Sequence, residues 1–160
     1  MIPAEFILML TPGAKSAAKL TGVPASITIA QAALESSWGE TLIARMANNI
    51  FGVKADAFWL GQTVDVPLIE RVDGKWKTVP AVWRKYESVD GGLFDHAEAI
   101  MKNPVYDKCF ESRTCDDFAW GLQRGGYSND PQYADKLIRI IHSHRLQELD
   151  HDFSGGKNDE

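Results

Sequence analysis

The carboxyl group of Glu35 stands in the surroundings best suited to acid chemistry in this sequence. It closes a mostly apolar run, residues 30–34, near the end of a predicted helix that stops at Gly39. Apolar neighbours disfavour the charged form of a carboxyl group, and so does the negative end of a helix dipole. Both effects favour a proton on Glu35 near neutral pH, as a general acid requires. The alternative is a solvated glutamate that ends a helix and has no chemical role.

The residue pattern on either side of Glu35 predicts a mainly helical chain with one small β-hairpin, which is an α+β fold. Apolar residues recur at helical spacing in residues 3–21, 24–39, 91–101, 115–122 and 131–144. Pro12, followed directly by a glycine, predicts a turn that divides the first of these segments into two short helices. Asp130 and Pro131 are the expected N-cap and first residue of the last helix.

A hairpin is predicted around Asp73 and Gly74, a dipeptide that favours a tight two-residue turn. Alternating apolar residues precede the turn from about residue 62, and a second run follows it to residue 83. Prolines in both runs cannot donate ladder hydrogen bonds, so we expect a small, edge-like hairpin. In this register Glu70 faces Lys77 across the two strands.

The composition is that of one globular domain. The chain has 160 residues, of which 44% are hydrophobic and 24% charged. No stretch has the ~20 apolar residues that span a bilayer, and the N-terminus lacks the basic region of a signal peptide. Residues 148–160 hold five acidic side chains and one basic, which accounts for −4 of the net charge of −5. We therefore expect a nearly neutral domain at residues 1–147 and an acidic, flexible tail at residues 148–160, with no membrane insertion and no nucleic-acid partner.

The cysteines and histidines give no sign of a metal ion or another cofactor, and we expect none. His142 and His144 are two residues apart, which puts them on different faces of a helix, and no Cys-x-x-Cys pair accompanies them. Cys109 and Cys115 are compatible with one local disulfide or with two free thiols. The serines that follow Glu35 lack a Gly-x-Ser-x-Gly elbow, which makes a serine hydrolase the weakest interpretation.

Five blocks of the sequence follow one another in a characteristic order. They are AQAALESSWGET at residues 30–41, NNIFGVKA at 48–55, WRKYES at 83–88, NPVY at 103–106 and GYSNDPQYA at 126–134. Together these blocks resemble the glucosaminidase family of peptidoglycan hydrolases, glycoside hydrolase family 73. The resemblance covers roughly residues 5–145.

The resemblance implies a lysozyme-like fold in which the small β-hairpin lobe lies beside the active-site cleft. The family's catalytic acid is the glutamate of the first block, which is Glu35 here. The family's second carboxylate lies a few residues before the hairpin turn, where Glu70 is the matching position and Asp65 and Asp73 are rivals. The simpler alternative for Glu70 is a cross-strand ion pair with Lys77.

The same resemblance implies further residues of the site. Tyr127 matches the family's active-site tyrosine, whose phenol would orient the substrate or polarise the attacking water. Asn48 and Asn49 offer amides for an N-acetyl group or a sugar hydroxyl, and Phe51 offers an apolar wall. The alternative for the two asparagines is local, because asparagine often closes a turn. Tyr133 is expected to be structural.

The implied activity is that of an endo-β-N-acetylglucosaminidase, a monomer that cuts the glycan strands of peptidoglycan at the cell wall. Lytic transglycosylase or muramidase specificity on the same polymer, and a non-catalytic wall-binding module, are the alternatives. The mechanism is open between inversion, with Glu70 activating water, and assistance by the acetamido group of the substrate. The biological setting is equally open among an autolysin, a flagellar enzyme and a phage endolysin.

Overall fold

The structure, a computed structural model, describes residues 1–150, which form a mainly helical body with a small β lobe. The α-helices are α1 (Pro3–Thr21), α2 (Ala25–Ser36), α3 (Leu42–Ala47), α4 (Val89–Lys102), α5 (Cys115–Arg124) and α6 (Tyr133–Ser143). The strands are β1 (Thr63–Asp65), β2 (Leu68–Val72), β3 (Lys75–Val79) and β4 (Val82–Arg84). Two 3-10 helices lie at Pro104–Glu111 and Leu146–Asp150. The expected α+β class is confirmed.

Helix α2 runs through the centre of the helical body. Every residue from Ala25 to Ala33 is buried, and α1, α5, α6 and the second 3-10 helix pack around it. A helix that is apolar on all faces needs neighbours that cover all of them. The largest fully buried side chains of this core include Phe6, Leu10, Ile27, Ile29, Leu93, Phe118, Leu122 and Leu137.

Helix α1 is continuous through Pro12, where the sequence pattern predicts a turn between two helices, so that prediction is wrong. A proline removes the backbone donor to the carbonyl four residues earlier. Here that residue is Leu8, which is exposed, so that water can hydrate its carbonyl. Phe6, Leu10 and Ala14 form one buried face that stays in phase across the proline. The packing of this face outweighs the loss of one hydrogen bond.

The β lobe consists of two separate antiparallel pairs, β1 with β4 and β2 with β3. The predicted hairpin turn is confirmed, since Asp73 and Gly74 have φ values of 50° and 77°. Positive φ at both central residues is what a type I′ turn requires. Glu70 pairs with Lys77 in the predicted register. Strand β3 is exposed over most of its length, whereas the buried Trp83 anchors β4.

Helix α6 begins at Tyr133, two residues later than the position of Pro131 predicts. Its N-cap residue is Gln132, so the predicted capping role of Asp130 is wrong. Asp130 instead closes a turn before the helix, where its Oδ1 accepts a hydrogen bond from the Gln132 N–H at 2.9 Å. Aspartate favours such turns because its side chain bonds the backbone two residues on.

The two cysteines are both buried and not bonded to each other. Burial raises the pKa of both thiols, that of Cys115 to about 11. They therefore remain protonated and pack as small apolar groups.

None of the helices within residues 1–150 is long and apolar enough to cross a membrane.

The second 3-10 helix crosses the boundary predicted between residues 147 and 148, while residues 151–160 of the predicted tail lie outside the described range. Its last residue, Asp150, accepts hydrogen bonds from the backbone N–H of Ser26, at 3.0 Å, and from the Ser26 hydroxyl. Helix α2 has no acidic residue in its own first turn, and its N-cap, Pro24, offers no side-chain hydrogen bond. Asp150 therefore supplies both the cap and the negative charge that favour a helix start.

We expect the Asp150→Ala variant to lose about 1 kcal/mol of its free energy of unfolding, because α2 would lose its capping carboxylate. Urea denaturation followed by circular dichroism measures the difference. Glu148→Ala is the matched control, since Glu148 lies on the same 3-10 helix and forms an exposed ion pair with Arg145. Equal stability of the two variants would contradict the capping role.

Candidate active site

Glu35 lies in the last turn of α2, where the helix ends abruptly. Ser37 and the two residues after it all have positive φ, at 51°, 59° and 83°, and the second of them is a tryptophan, for which this conformation is strained. Ser36 holds the turn, because its hydroxyl donates to the Ala32 carbonyl at 2.6 Å and accepts from the Gly39 N–H at 2.8 Å. The helix thus ends one residue after Glu35, whose carboxyl remains at the edge of the helical body.

The Glu35 carboxyl accepts a hydrogen bond from the hydroxyl of Tyr127, with 2.8 Å between the phenol oxygen and Oε1. One side of the carboxyl is open to the cleft, and Leu34 and Tyr133 enclose it together with Tyr127. This enclosure removes water and raises the pKa of Glu35 to about 7, while the Tyr127 hydrogen bond opposes the rise. A carboxyl with this pKa is protonated in a large share of molecules at neutral pH, as a general acid requires.

An open pocket of about 320 Å³ adjoins Glu35. It is lined by Leu34, Glu35, Tyr127, Ser128, Asp130, Tyr133 and Lys136. Its volume lies at the lower end of the range of ligand pockets, about 300–1,000 Å³. Asp130 and Lys136 form an ion pair at its rim, which lowers the pKa of Asp130 and leaves little net charge beside the acid.

Behind the pocket lies a set of buried polar contacts that the sequence analysis missed. The amide of Gln31 donates to the Tyr133 hydroxyl at 3.0 Å, and its oxygen lies 2.8 Å from Nε2 of His96. The Tyr133 ring stacks on Tyr127 at 5.3 Å, so a residue expected to be structural belongs to the site. The one signal in the sequence was Gln31 itself, a polar residue inside an apolar run.

Asn49 is buried, and its side-chain amide joins its own loop to strand β4. The Nδ2 group donates to the carbonyls of Val53 and Arg84 at 2.9 and 2.8 Å, and Oδ1 accepts from the Val53 N–H at 2.9 Å. No amide hydrogen is left for a sugar. These contacts match the local, structural role that the sequence analysis gave as the alternative, and the role of Asn49 in substrate binding stays a prediction.

Asn48 and Phe51 flank this buried asparagine. Asn48 ends α3 in the left-handed conformation, with φ of 50°, and donates to the Tyr86 carbonyl at 3.0 Å. Phe51 stacks flat on the ring of His96, with 3.7 Å between centroids, and His96 meets Tyr127 edge-on at 5.9 Å. Phe51 thus packs against the His96 ring that contacts Tyr127, and neither Asn48 nor Phe51 lines the Glu35 pocket in the described chain.

The carboxylates of the β lobe do not line the Glu35 pocket in the described chain either. Glu70 lies on the half-buried face of β2, whereas Asp65 and Asp73 are exposed. Glu70 is opposite Lys77, yet within residues 1–150 no ion pair joins the two side chains. No group of three or more His, Cys, Asp or Glu side chains in these residues is arranged to hold a metal ion.

Comparisons with known proteins agree with one another. The glucosaminidase family, described as mannosyl-glycoprotein endo-beta-N-acetylglucosaminidase, matches residues 11–146. Over 141 residues the chain is 38% identical to the peptidoglycan hydrolase FlgJ of Salmonella typhimurium, covering 86% of this chain and 45% of that protein. Over 130 residues it is 39% identical to the exo-glucosaminidase LytG of Bacillus subtilis, covering 78% of this chain and 45% of LytG. The catalytic domain of the autolysin Auto from Listeria monocytogenes superposes with a TM-score of 0.83 at 32% identity, covering 92% of this chain and 87% of that one.

We expect Tyr127→Phe to raise the pKa of Glu35 above its value of about 7, because the hydrogen bond that favours the carboxylate is lost. A titration of the Glu35 carboxyl carbon by NMR measures this pKa directly. Tyr106→Phe is the matched control, since Tyr106 packs beside Tyr127 without a hydrogen bond to Glu35. An unchanged Glu35 pKa in Tyr127→Phe would show that the phenol does not stabilise the charged form.

Proposed function

The chain belongs to the glucosaminidase family, glycoside hydrolase family 73, and on that premise we propose that it hydrolyses a β-1,4 glycosidic bond in the glycan of peptidoglycan. The names of its relatives support this substrate, since FlgJ is a peptidoglycan hydrolase and LytG an exo-glucosaminidase. The chain spans less than half the length of these two relatives. The proposal therefore concerns the catalytic step alone, with the cell wall as the place of action.

Glu35 is the general acid of the proposed reaction. Its proton passes to the glycosidic oxygen as the bond from that oxygen to the sugar carbon breaks, and Glu35 is left as a carboxylate. The Tyr127 hydroxyl, 2.8 Å from Oε1, stabilises this carboxylate. Water then adds to the sugar carbon and gives up a proton to a second group, and exchange with solvent restores the starting protonation states.

The observation that carries this proposal is the combination of an open pocket with a carboxyl whose pKa is raised to about 7. Glycosidases need such a protonated carboxyl to assist departure of the leaving sugar. A non-catalytic wall-binding module has no use for a carboxyl held at this pKa. The pocket lies at the open end of α2, so a glycan strand in the cleft would present its linking oxygen to Glu35.

Glu70 is the carboxylate that we assign to activation of the water. Two points support this assignment. Glu70 is half-buried on β2, and inverting glycosidases generally need a second carboxyl group. Because the pocket lining includes no lobe residue, this role requires the hairpin to approach the bound glycan. The alternative is assistance by the acetamido group of the substrate, which needs no second carboxylate at the reacting carbon.

The bond that we propose is the one on the reducing side of N-acetylglucosamine, and the product ends decide this point. Reducing N-acetylglucosamine ends identify a glucosaminidase, and reducing N-acetylmuramic acid ends identify a muramidase. Anhydro-muramyl ends identify a lytic transglycosylase, which uses one acid and no water. Mass spectrometry of a digest of purified peptidoglycan separates the three.

We expect Glu35→Gln to lower the rate of peptidoglycan digestion by about 10²–10⁴-fold, the usual contribution of a general acid. The wild-type kcat/KM should fall as the pH rises through about 7, because deprotonation of Glu35 removes the proton that the reaction consumes. Release of reducing ends from purified peptidoglycan measures both effects. Glu40→Gln is the control, since Glu40 is exposed and lies beyond the turn that ends α2. Full activity of Glu35→Gln would remove Glu35 from the acid role.

We expect Glu70→Gln to lower the rate by about 10²-fold or more, because the water would lose its base. Asp65→Asn and Asp73→Asn are the matched controls on the same lobe, and both should retain activity. A large loss in one of these controls would move the role of base to that residue. Full activity in all three variants would instead favour assistance by the acetamido group.

A further inference from the structure

The hydroxyl group of Tyr133 has an unused hydrogen at the catalytic pocket. Its oxygen accepts a hydrogen bond from the Gln31 amide at 3.0 Å. In the described part of the chain, however, the Tyr133 hydroxyl donates to no acceptor of its own. Tyr133 lines the pocket beside Glu35, although its side chain is almost completely buried. A phenol carries one hydrogen that it can donate, and here that hydrogen remains available to a ligand.

The charges around this phenol favour an uncharged ligand group. Burial raises the pKa of Tyr133 well above its ordinary value, and the charge of the Glu35 carboxylate raises it further, so the hydroxyl keeps its proton at neutral pH. An anionic group at the same place would be repelled by the ionised form of Glu35. The one cation that lines the pocket, Lys136, is paired with Asp130. The acceptor that suits Tyr133 is therefore a neutral oxygen.

A glycan offers two kinds of neutral acceptor, the oxygen of a hydroxyl group and the carbonyl oxygen of an N-acetyl group. Leu34 distinguishes between them, because this half-buried apolar side chain lines the same pocket as Tyr133. An N-acetyl group joins a carbonyl to a methyl group, so it fits a single donor next to an apolar side chain. A sugar hydroxyl has no apolar part for Leu34 to contact, and its own hydrogen needs an acceptor.

We propose that Tyr133 is a substrate-binding residue whose hydroxyl donates a hydrogen bond to the carbonyl oxygen of a substrate N-acetyl group, while Leu34 contacts the methyl group. Gln31 is a positioning residue for this phenol, since its amide holds the Tyr133 oxygen. The inference rests on the proposed function, because it names the part of the glycan that occupies the pocket beside Glu35.

Ser128 is a rival donor in the same pocket. Its oxygen accepts from the Asp130 N–H at 3.1 Å, and within residues 1–150 its hydroxyl donates to no acceptor either. Ser128 lies in the turn before α6, next to the ion pair of Asp130 with Lys136, so its surroundings are polar. A sugar hydroxyl suits that position better than an N-acetyl group does, and Ser128→Ala therefore serves as the comparison variant.

Two neutral tetrasaccharides test the proposal. One is the β-1,4-linked tetrasaccharide of N-acetylglucosamine, and the other is cellotetraose, which has a hydroxyl in place of each N-acetyl group. Both are titrated by NMR against the Glu35→Gln variant, in which cleavage is slowed. We expect the further change Tyr133→Phe to weaken binding of the N-acetylated probe about 5-fold to 10-fold, as the loss of one hydrogen bond predicts, and to leave binding of cellotetraose unchanged.

A spectroscopic signature makes the test independent of affinity. With carbon-13 at the acetyl carbonyl carbons, one carbonyl resonance of the bound probe should move downfield, as a hydrogen-bonded carbonyl does. That movement should be lost in Tyr133→Phe and kept in Ser128→Ala. Tyr133→Phe also takes the acceptor from the Gln31 amide, and thermal unfolding measures the resulting loss of stability. A merely structural role of Tyr133 would not move the carbonyl resonance.

Tyr106→Phe is the matched control, because Tyr106 is a half-buried phenol whose ring lies 6.3 Å from that of Tyr127 and which does not line the pocket. It should bind both probes as the parent variant does. Equal weakening of both probes by Tyr133→Phe, or a carbonyl resonance that is the same with and without the Tyr133 hydroxyl, would overturn the proposal. So would a parent variant that does not bind the N-acetylated probe. These titrations need no turnover, so failure of the proposed function, seen as full activity of Glu35→Gln on peptidoglycan, is a separate result.

Discussion

Helix α2 has no solvent-exposed residue from Ala25 to Ala33, and the position of the Glu35 carboxyl depends on this burial. A segment enclosed on all sides cannot shift or rotate without opening voids in the core, which a close-packed interior resists. Its start is held by Asp150 and its end by the turn around Ser36. Glu35 is the first residue of α2 to be exposed, so the packing of the core places its carboxyl at the edge of the helical body.

The two halves of the candidate site differ in how firmly the fold holds them. Glu35, Tyr127 and the pocket rim belong to α2, α6 and the segment between α5 and α6, which are all part of one packed body. Glu70 lies on a hairpin whose second strand is largely exposed and whose main partner is its own neighbouring strand. The separation of the two carboxyl groups, which distinguishes glycosidase mechanisms, is therefore not set by core packing.

The sequence alone predicted what depends on local pattern and failed where distant packing decides. The turn at Asp73 and the raised pKa of Glu35 follow from a dipeptide and from an apolar neighbourhood, both visible in the sequence. Helix α1 is continuous through Pro12 because a continuous helix buries its apolar face in the core, which a helix broken at the proline would not do. Asn49 and Gln31 both carry amides, yet only the fold shows that the first reaches the Arg84 carbonyl on β4 and the second reaches His96. Residues far apart in sequence form these contacts, and no local spacing reveals them.

The choice of a phenol as partner for Glu35 follows from the electrostatics of a proton donor. A free cation beside the carboxyl would favour the charged form strongly and remove the proton that the reaction needs. Lys136 lines the same pocket, but its positive charge is balanced by its ion pair with Asp130. Burial and the neighbouring carboxyl raise the pKa of Tyr127, so its phenol stays neutral. Tyr127 therefore donates a hydrogen bond to Glu35 without adding a charge to the site. Burial raises the pKa of Glu35 and this hydrogen bond lowers it, and the result is a pKa of about 7. In the proposed reaction, a carboxyl with this pKa would hold its proton until the glycosidic oxygen takes it.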